Sequence, residues 1–375
     1  MKGLKVIQPG ILSLIQDTGR IGQHHNGLTV GGPMDRNAFE WANRLCTNTL
    51  NTPVVEVTIG GLVFESTVRS YFAVTGASVP VSINKKSVAG WKVHAINPGD
   101  RIEIGFTLIG TRCYLSVPGG FSIAPVFGSC STVGRESMGG LDGNGGQLRS
   151  GDLLPCVDTE LTPPFYLPSE EQPKNLHKAP LKTRLRVVLG YQHAYFSRQQ
   201  KHLFFNSDFQ ISDLNDRMGF RLMGPSIAPS VNGILSEGIC LGAIQVPADG
   251  QPIILLNDRQ TIGGYPKIGS VLSLDLNKLV QLPAQSVVTF EPISIEDAHN
   301  LLQLSHIDSQ RIQPEIDTEL LSVEVEQLLV ALNPRGMKTV SPAIQSGSYL
   351  RAAQTIYGST GTILIGTGFP VNGSF

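Results

Sequence analysis

Short runs of β-branched and aromatic residues, punctuated by Gly, Asn and Pro, set the rhythm of residues 1–157. Val54 to Glu65 (VVEVTIGGLVFE), Tyr71 to Ile83 (YFAVTGASVPVSI), Arg101 to Phe106 and Cys113 to Val117 read as strands. NKK at 84–86 and NPGD at 97–100 read as turns between strands. One helix is predicted, over Asp35 to Cys46. Pro33 and Asp35 mark its start, and Met34, Ala38, Ala42 and Leu45 recur at helical spacing.

The rhythm stops at 158–182, where DTELTPPFYLPSEEQPKNLHKAPLK carries five prolines and few apolar clusters. Such a segment cannot enter a sheet interior, so a linker is expected. Strand-like runs resume from Thr183 to about Pro292. They end at SIEDAHNLLQL, where Ser294 as cap and Asp297 at the capping-box position predict a short closing helix. The expected organisation is therefore one β domain at 1–157, a linker at 158–182, a second β domain at 183–300, and a further segment at 301–375.

The two strand-rich halves share a spacing. MDR at 34–36 precedes VVEVTIGG as NDRM at 215–218 precedes ILSEGICLG, and both Asp35 to Glu56 and Asp216 to Glu237 span 21 residues. A duplicated β-barrel unit accounts for this pattern.

Composition narrows the function classes. The 375 residues are 41% hydrophobic and 16% charged, with 41 Gly and 24 Pro, enough apolar material for two or three domains at ~150 residues each. The net charge is -1 with no basic tract, which argues against a nucleic-acid partner. No apolar run approaches the ~18 residues of a membrane span, and the N-terminus lacks the layout of a signal peptide. The five cysteines, Cys46, Cys113, Cys130, Cys156 and Cys240, form no CxxC pair. Reduced thiols in a cytoplasmic protein are expected. His24-His25 has no further ligand at metal spacing, so no metal site is expected. GGLDGNGG at 139–146 lacks the Lys-Ser/Thr of a P-loop and reads as a loop connection.

Polar chemistry is densest in 212–267, where Arg217, Glu237, Gln245, Asp258, Arg259 and Gln260 stand among apolar and glycine residues. Polar groups in such a setting are satisfied inside the fold or aimed into a pocket. An arginine fork suits negative charge developing on a carbonyl or phosphoryl oxygen, a carboxylate can move a proton, and a glutamine can fix an amide. The residues alone leave open a structural alternative: a buried Arg217–Glu237 pair, with Asp258-Arg259 as a turn. TIGGYPKIG at 261–269 adds glycines that let backbone approach a ligand.

Several segments carry a resemblance: QPGILSLIQDTGRIGQHHNGLTVGGPMD, EVTIGG, YLSVPGG, FGSCST, NDRMGFRL and, above all, SEGICLGAIQVPADGQPIILLNDRQTIGGYPKIGSV. Over roughly residues 3–295 the chain resembles the allophanate hydrolase subunit 2 family, also called the biotin-dependent carboxyltransferase family, which includes the C subunit of 5-oxoprolinase. The resemblance implies a mainly β fold, with two cyclophilin-like β-barrel domains and few short helices. It implies a site with Arg217, Glu237, Asp258 and Arg259 as catalytic candidates, and Gln245, Gln260, Gly263, Gly264 and Tyr265 as substrate contacts. It also implies a subunit 1 partner, similar to the B subunit of 5-oxoprolinase, and a third oxoprolinase component. The implied reaction is ATP-dependent opening of 5-oxoproline to glutamate, with ATP and Mg on this chain or on a partner. Two other readings follow from the same resemblance: a carboxyltransferase using biotin on a urea-like acceptor, and a regulatory protein that binds its subunit 1 partner. Within the tail, RGM, the segment around Ser341 to Ala353, and TGFPV resemble the opening of D-glutamate cyclase-like proteins. A partial α/β segment is expected there.

Overall fold

Alternating apolar positions become strands where one face of the pleat finds a core. The structure, a computed structural model, describes residues 2–159, 164–173 and 181–317. The expected α/β segment of the tail lies outside them.

The first half forms two sheets. One is ordered Leu153–Pro155, Gly3–Pro9, Gly60–Ser66, Arg101–Phe106, Val81–Ile83, Lys86–Val88. The other is ordered Leu12–Gln16, Val54–Thr58, Ile109–Ser116, Ser70–Ser78, Val93–Ile96. Leu4, Phe64 and Ile104 of the first share one core with Val55, Phe72 and Leu115 of the second. The run VVEVTIGGLVFE passes from one sheet to the other at Ile59 and Gly60, where φ is 67° and 104°. A Cβ at Gly60 would stand 2.0 Å from the Gly105 carbonyl oxygen, so only glycine fits this crossing. Asn84 and Lys85, in the NKK turn, both take positive φ, as a tight hairpin of this hand requires.

Helix α1 (Arg36–Leu45) forms where it was expected, with the Asp35 side chain accepting from the Ala38 amide at 3.0 Å. It covers the outer face of the five-stranded sheet, with Phe39, Trp41 and Ala42 against Val54, Trp91 and Tyr114. The alternation of the sheet thus sends Val55 and Leu115 to one core, and Val54 and Tyr114 to the other.

The second half is a closed barrel of Thr183–Leu189, Lys267–Val271, Ala243–Gln245, Ile253–Leu255, Gly219–Met223, Phe209–Asn215 and Val287–Pro292. Helix α2 (Arg198–Phe205) plugs it with Phe204, whose ring stacks on Phe290 at 4.2 Å. Helix α3 (Ser273–Leu279) brings buried Asp275 to the fork of Arg186, at 2.6 and 2.8 Å. Neither helix was separable from strand in the sequence, because HLFF and LSLDL read as apolar runs of either kind. Helix α4 (Ile295–Arg311) starts at the expected Ser294 cap but runs 17 residues, longer than the short helix expected. Arg44 of α1 ends it, donating to the carbonyls of Ser309 and Ile312 at 2.6 Å each.

Part of the expected linker is pinned. Phe165–Tyr166 pairs with Glu315–Ile316, and Leu167 is buried beside Trp41 and Trp91. The shared spacing of 21 residues does not mark equivalent places in the two halves. Asp35 caps a helix and Glu56 lies mid-strand, whereas Asp216 folds a turn onto the amides of Met218 and Gly219, and Glu237 sits in a two-residue strand. No helix among the described residues is long and apolar enough to cross a membrane.

Candidate functional site

The sequence candidates separate into two clusters. The first is a buried ionic seam between the halves. Arg217 follows the turn after Phe209–Asn215, and its guanidinium donates to both oxygens of Asp258 at 2.9 Å and to the Gly32 carbonyl at 2.6 Å. A further bond reaches Glu56, a residue that sequence reasoning did not place in the site. Glu56 also accepts from Tyr114 Oη and the Met34 amide, each at 2.8 Å. Met34 in turn inserts into the core of the barrel.

Gln281 completes the seam. Its carbonyl oxygen accepts the amides of Thr111 and Arg112, both at 3.0 Å, while its amide donates to Asp35 at 2.8 Å and to the Arg112 carbonyl at 3.0 Å. Burial opposes the charge of Arg217, but Asp258 and Glu56 overcome that penalty and hold it firmly protonated. Burial raises Asp258, with Arg217 opposing the shift, and it lifts Asp35 to about 6. Arg259 is buried too and is lowered by desolvation. Its Nε donates to the Ile239 carbonyl at 3.2 Å and its Nη1 to the Leu256 carbonyl at 3.1 Å. The bonds of Arg217 and Gln281 tie the two halves of the chain together.

The second cluster opens to solvent. Glu237 pairs with Lys267, and it accepts from Gln192 Nε2 at 2.7 Å. Gln192 is itself fixed by the Lys267 amide at 2.9 Å. The bond to Lys267, and after it one from the Tyr191 hydroxyl, hold the Glu237 carboxyl below the usual range. The Glu237 side chain is 30% exposed and that of Lys267 10%, so the pair meets water on one side only.

Gly263 faces Glu237 across the Glu237–Gly238 and Ile262–Gly263 strand pair. A Cβ at position 263 would lie 2.6 Å from Gln245 Nε2 and 2.5 Å from Ile239 Cδ1. Gln245 is 2% exposed, and its Nε2 has no hydrogen-bond partner among the described residues. A buried amide donor left unpaired costs stability and marks a place prepared for an acceptor. Leu235, Ile262, Tyr265 and Tyr191 are exposed on the segments around this cleft.

The structure therefore brings together Glu237, Gln245, Gly263 and Gly264 with Lys267, Gln192 and Tyr191, while Arg217 and Asp258 belong to the seam. An Arg217–Glu237 pair does not form. Gln260 is half-buried and Tyr265 exposed. Sequence reasoning missed Glu56 although it is the lone carboxylate in the apolar run VVEVT, a placement that demands a cation. Lys267 lay within TIGGYPKIG but carried no signal of its own. Two surface concavities lie elsewhere, lined by residues such as Arg184, Phe205 and Glu291, or Val74, Trp91 and Gln172. Neither contains a sequence candidate.

Fold and site define a mainly β protein whose two halves are joined by a buried ionic seam, with a lysine–carboxylate cleft on the second. The carboxyltransferase domain family, subdomains A and B, matches residues 26–292, and the chain belongs to it. It is 34% identical to the C subunit of 5-oxoprolinase from Escherichia coli, over 79% of this chain and 93% of that protein. Identity to the Haemophilus influenzae protein of the same name is 32%, over 81% and 95%. Urea amidolyase of Lachancea kluyveri is 28% identical over 79% of this chain, which spans only 17% of that longer protein. The crystal structure of the K. lactis urea amidolyase superposes with a TM-score of 0.74 at 27% identity, over 81% of this chain and 19% of that one.

Proposed function

We propose that this chain is one subunit of an ATP-dependent 5-oxoprolinase, acting with a subunit 1 partner and a third component to open 5-oxoproline to glutamate. The observation that carries the reading is the extent of the match: 93% of the Escherichia coli 5-oxoprolinase C subunit is spanned, against 17% of a urea amidolyase. The cleft suits a cyclic amide. Its unpaired Gln245 Nε2 and the Lys267 ammonium are donors for a lactam carbonyl oxygen, and Glu237 is an acceptor for a lactam N–H. As a water oxygen joins the carbonyl carbon, Glu237 takes the proton that the water gives up, and as the ring C–N bond breaks the leaving nitrogen needs a proton in turn. Lys267 is the donor beside it, with Glu237 and Gln192 holding the ammonium in place.

Phosphorylation of the lactam oxygen would supply the driving force, but the glycine-rich segment 139–146 does not fit a nucleotide. The amides of Gly140, Gly143 and Gly145 are spent on the carbonyls of Cys130, Gly140 and Gly139, so they cannot cradle phosphates. In this reading a partner holds ATP and Mg, and no step of this chain runs through them.

The test is reconstitution with the partner subunits, following ADP and glutamate with 5-oxoproline present. Glutamate formed only when this chain is included supports the reading; a stable complex without turnover sinks it. A second reading, carboxyl transfer from biotin to a urea-like acceptor, draws on the family match and on the likeness to urea amidolyase. The same donors fit a ureido carbonyl, and urea with carboxybiotin is the corresponding assay.

A further inference from the structure

Arg20 is a buried cation with no carboxylate bonded to it among the described residues. Its residue exposure is 1%. Nε donates to the Val126 carbonyl at 3.1 Å and Nη2 to the Ser129 carbonyl at 3.4 Å, while Nη1 has no partner among the described residues. Three carboxylates lie close enough to act on it, Asp17, Glu136 and Asp258, and each is committed elsewhere. Asp17 accepts from the Gly19 and Cys130 amides and the hydroxyls of Ser129 and Ser131. Glu136 is taken by Thr29 and Arg135, and Asp258 by Arg217.

Withdrawing a cation from water without a direct counter-ion is costly, and removing or pairing the charge would be the cheaper solution for stability alone. The surrounding backbone is built to approach the guanidinium. Gly139, at φ +68°, would place a Cβ 2.4 Å from Nη2, and Gly31, also at φ +68°, would place one 3.7 Å from Nη1. The Gly31 carbonyl is held at 3.3 Å by Asn257 of the other half, so the unpaired Nη1 lies beside the seam.

We propose that Arg20 is the donor of a small-oxyanion subsite next to the seam, its Nη1 taking a carboxylate or phosphoryl oxygen. Gly31, positive in φ like Gly32, leaves the space before this atom free of a side chain. In a site shielded from water, a charge-assisted bond of this kind is strong and selective. Where the ion is the carboxylate of 5-oxoproline, the subsite rests on the reading above and is a second place on the chain for that molecule, apart from the Glu237–Lys267 cluster.

Calorimetric titration of the chain, alone and assembled with its partner subunits, tests this with three probes: inorganic phosphate, 5-oxoproline, and pyrrolidin-2-one, which lacks the carboxylate. The expected result is saturable phosphate binding that weakens at least tenfold in Arg20→Lys. Gly31→Ala, which keeps the guanidinium but narrows the space before Nη1, should weaken it likewise. Competition by 5-oxoproline and not by pyrrolidin-2-one identifies the substrate carboxylate as the source. Phosphate binding without such competition keeps the subsite and assigns it to a phosphoryl group. No phosphate binding by the unmodified protein in either form, or binding that both variants leave unchanged, overturns the proposal.

Discussion

Arg217, from the second half of the chain, is bonded to Glu56, from the first, and both side chains are withdrawn from solvent, at 8% and 0% exposure. The same guanidinium holds Asp258 through two bonds of 2.9 Å. Truncating the cation would strand two buried carboxylates, the situation that makes broken buried pairs so costly. Arg217→Met should lose about 3–5 kcal/mol, read as a lowered urea midpoint. Adding Glu56→Gln and Asp258→Asn to that variant removes the stranded charges and should return part of the loss. Full stability in Arg217→Met alone would show that the seam does not join the halves. Any loss of turnover in this variant is expected to follow unfolding rather than chemistry.

Asp35 gives the seam a pH dependence. Its folded value is about 6 against an ordinary 3.8, because burial disfavours its charge. The folded state therefore keeps a proton that the unfolded chain has lost between these values, and stability from this group falls as pH rises through that window. Below the window the penalty is absent; above about 6 it is complete. Two pKa units correspond to roughly 3 kcal/mol. Asp35→Asn removes the charge and keeps an oxygen for the Ala38 amide, at the cost of the bond from Gln281, whose donor then faces the new NH2. Its stability relative to the parent should be greatest near pH 8 and decline toward pH 4. Denaturant titrations across that range check the trend, and a difference that does not vary with pH refutes it.

Much of the β architecture was legible because alternation and turn chemistry are local. VVEVTIGGLVFE formed strand, though its crossing at Gly60 was not read from it, NKK turned at Asn84, and both Asp35 and Ser294 capped the helices they were expected to start. What was not legible is pairing across the halves. Arg217 sits 161 positions from Glu56 and 41 from Asp258, and although the apolar run around Glu56 calls for a cation, nothing local says which one. Equal spacing of Asp and Glu in the two halves was a misleading guide, since Asp35 and Asp216 meet different backbones. Gln281 and Lys267 were invisible for the same reason. Their roles come from what the closed barrel places opposite them.

Gly263 tests whether Gln245 faces a working space. Its backbone is not in a left-handed conformation, so alanine there is limited by neighbours rather than by φ. The added carbon would meet Ile239 Cδ1 at 2.5 Å and Gln245 Nε2 at 2.6 Å. Overpacking of this kind costs about 1–3 kcal/mol. Gly263→Ala should thus remain folded, with a slightly lowered melting temperature, but lose most turnover in the assembled complex because the Gln245 donor is displaced. Retained turnover with unchanged KM would remove Gln245 from the site.

Glu237 and Lys267 carry the sharpest prediction, because stability and chemistry separate there. Glu237 is 30% exposed at its side chain, so Glu237→Gln should change stability by less than about 1 kcal/mol. Loss of a positioned proton carrier lowers turnover by roughly a hundredfold to ten-thousandfold. The bond from Lys267, followed by that from Tyr191, holds the Glu237 carboxyl below its ordinary range, so the acid limb of kcat/KM should lie below that of a free glutamate, ~4.3. Tyr191→Phe removes the lesser cause and should move the limb upward with kcat at pH 8 nearly unchanged. Lys267→Met removes the greater cause and should move it further, with kcat reduced as well. Profiles measured on the assembled complex decide the matter: an acid limb that stays in place in both variants would mean that the essential carboxylate is not Glu237.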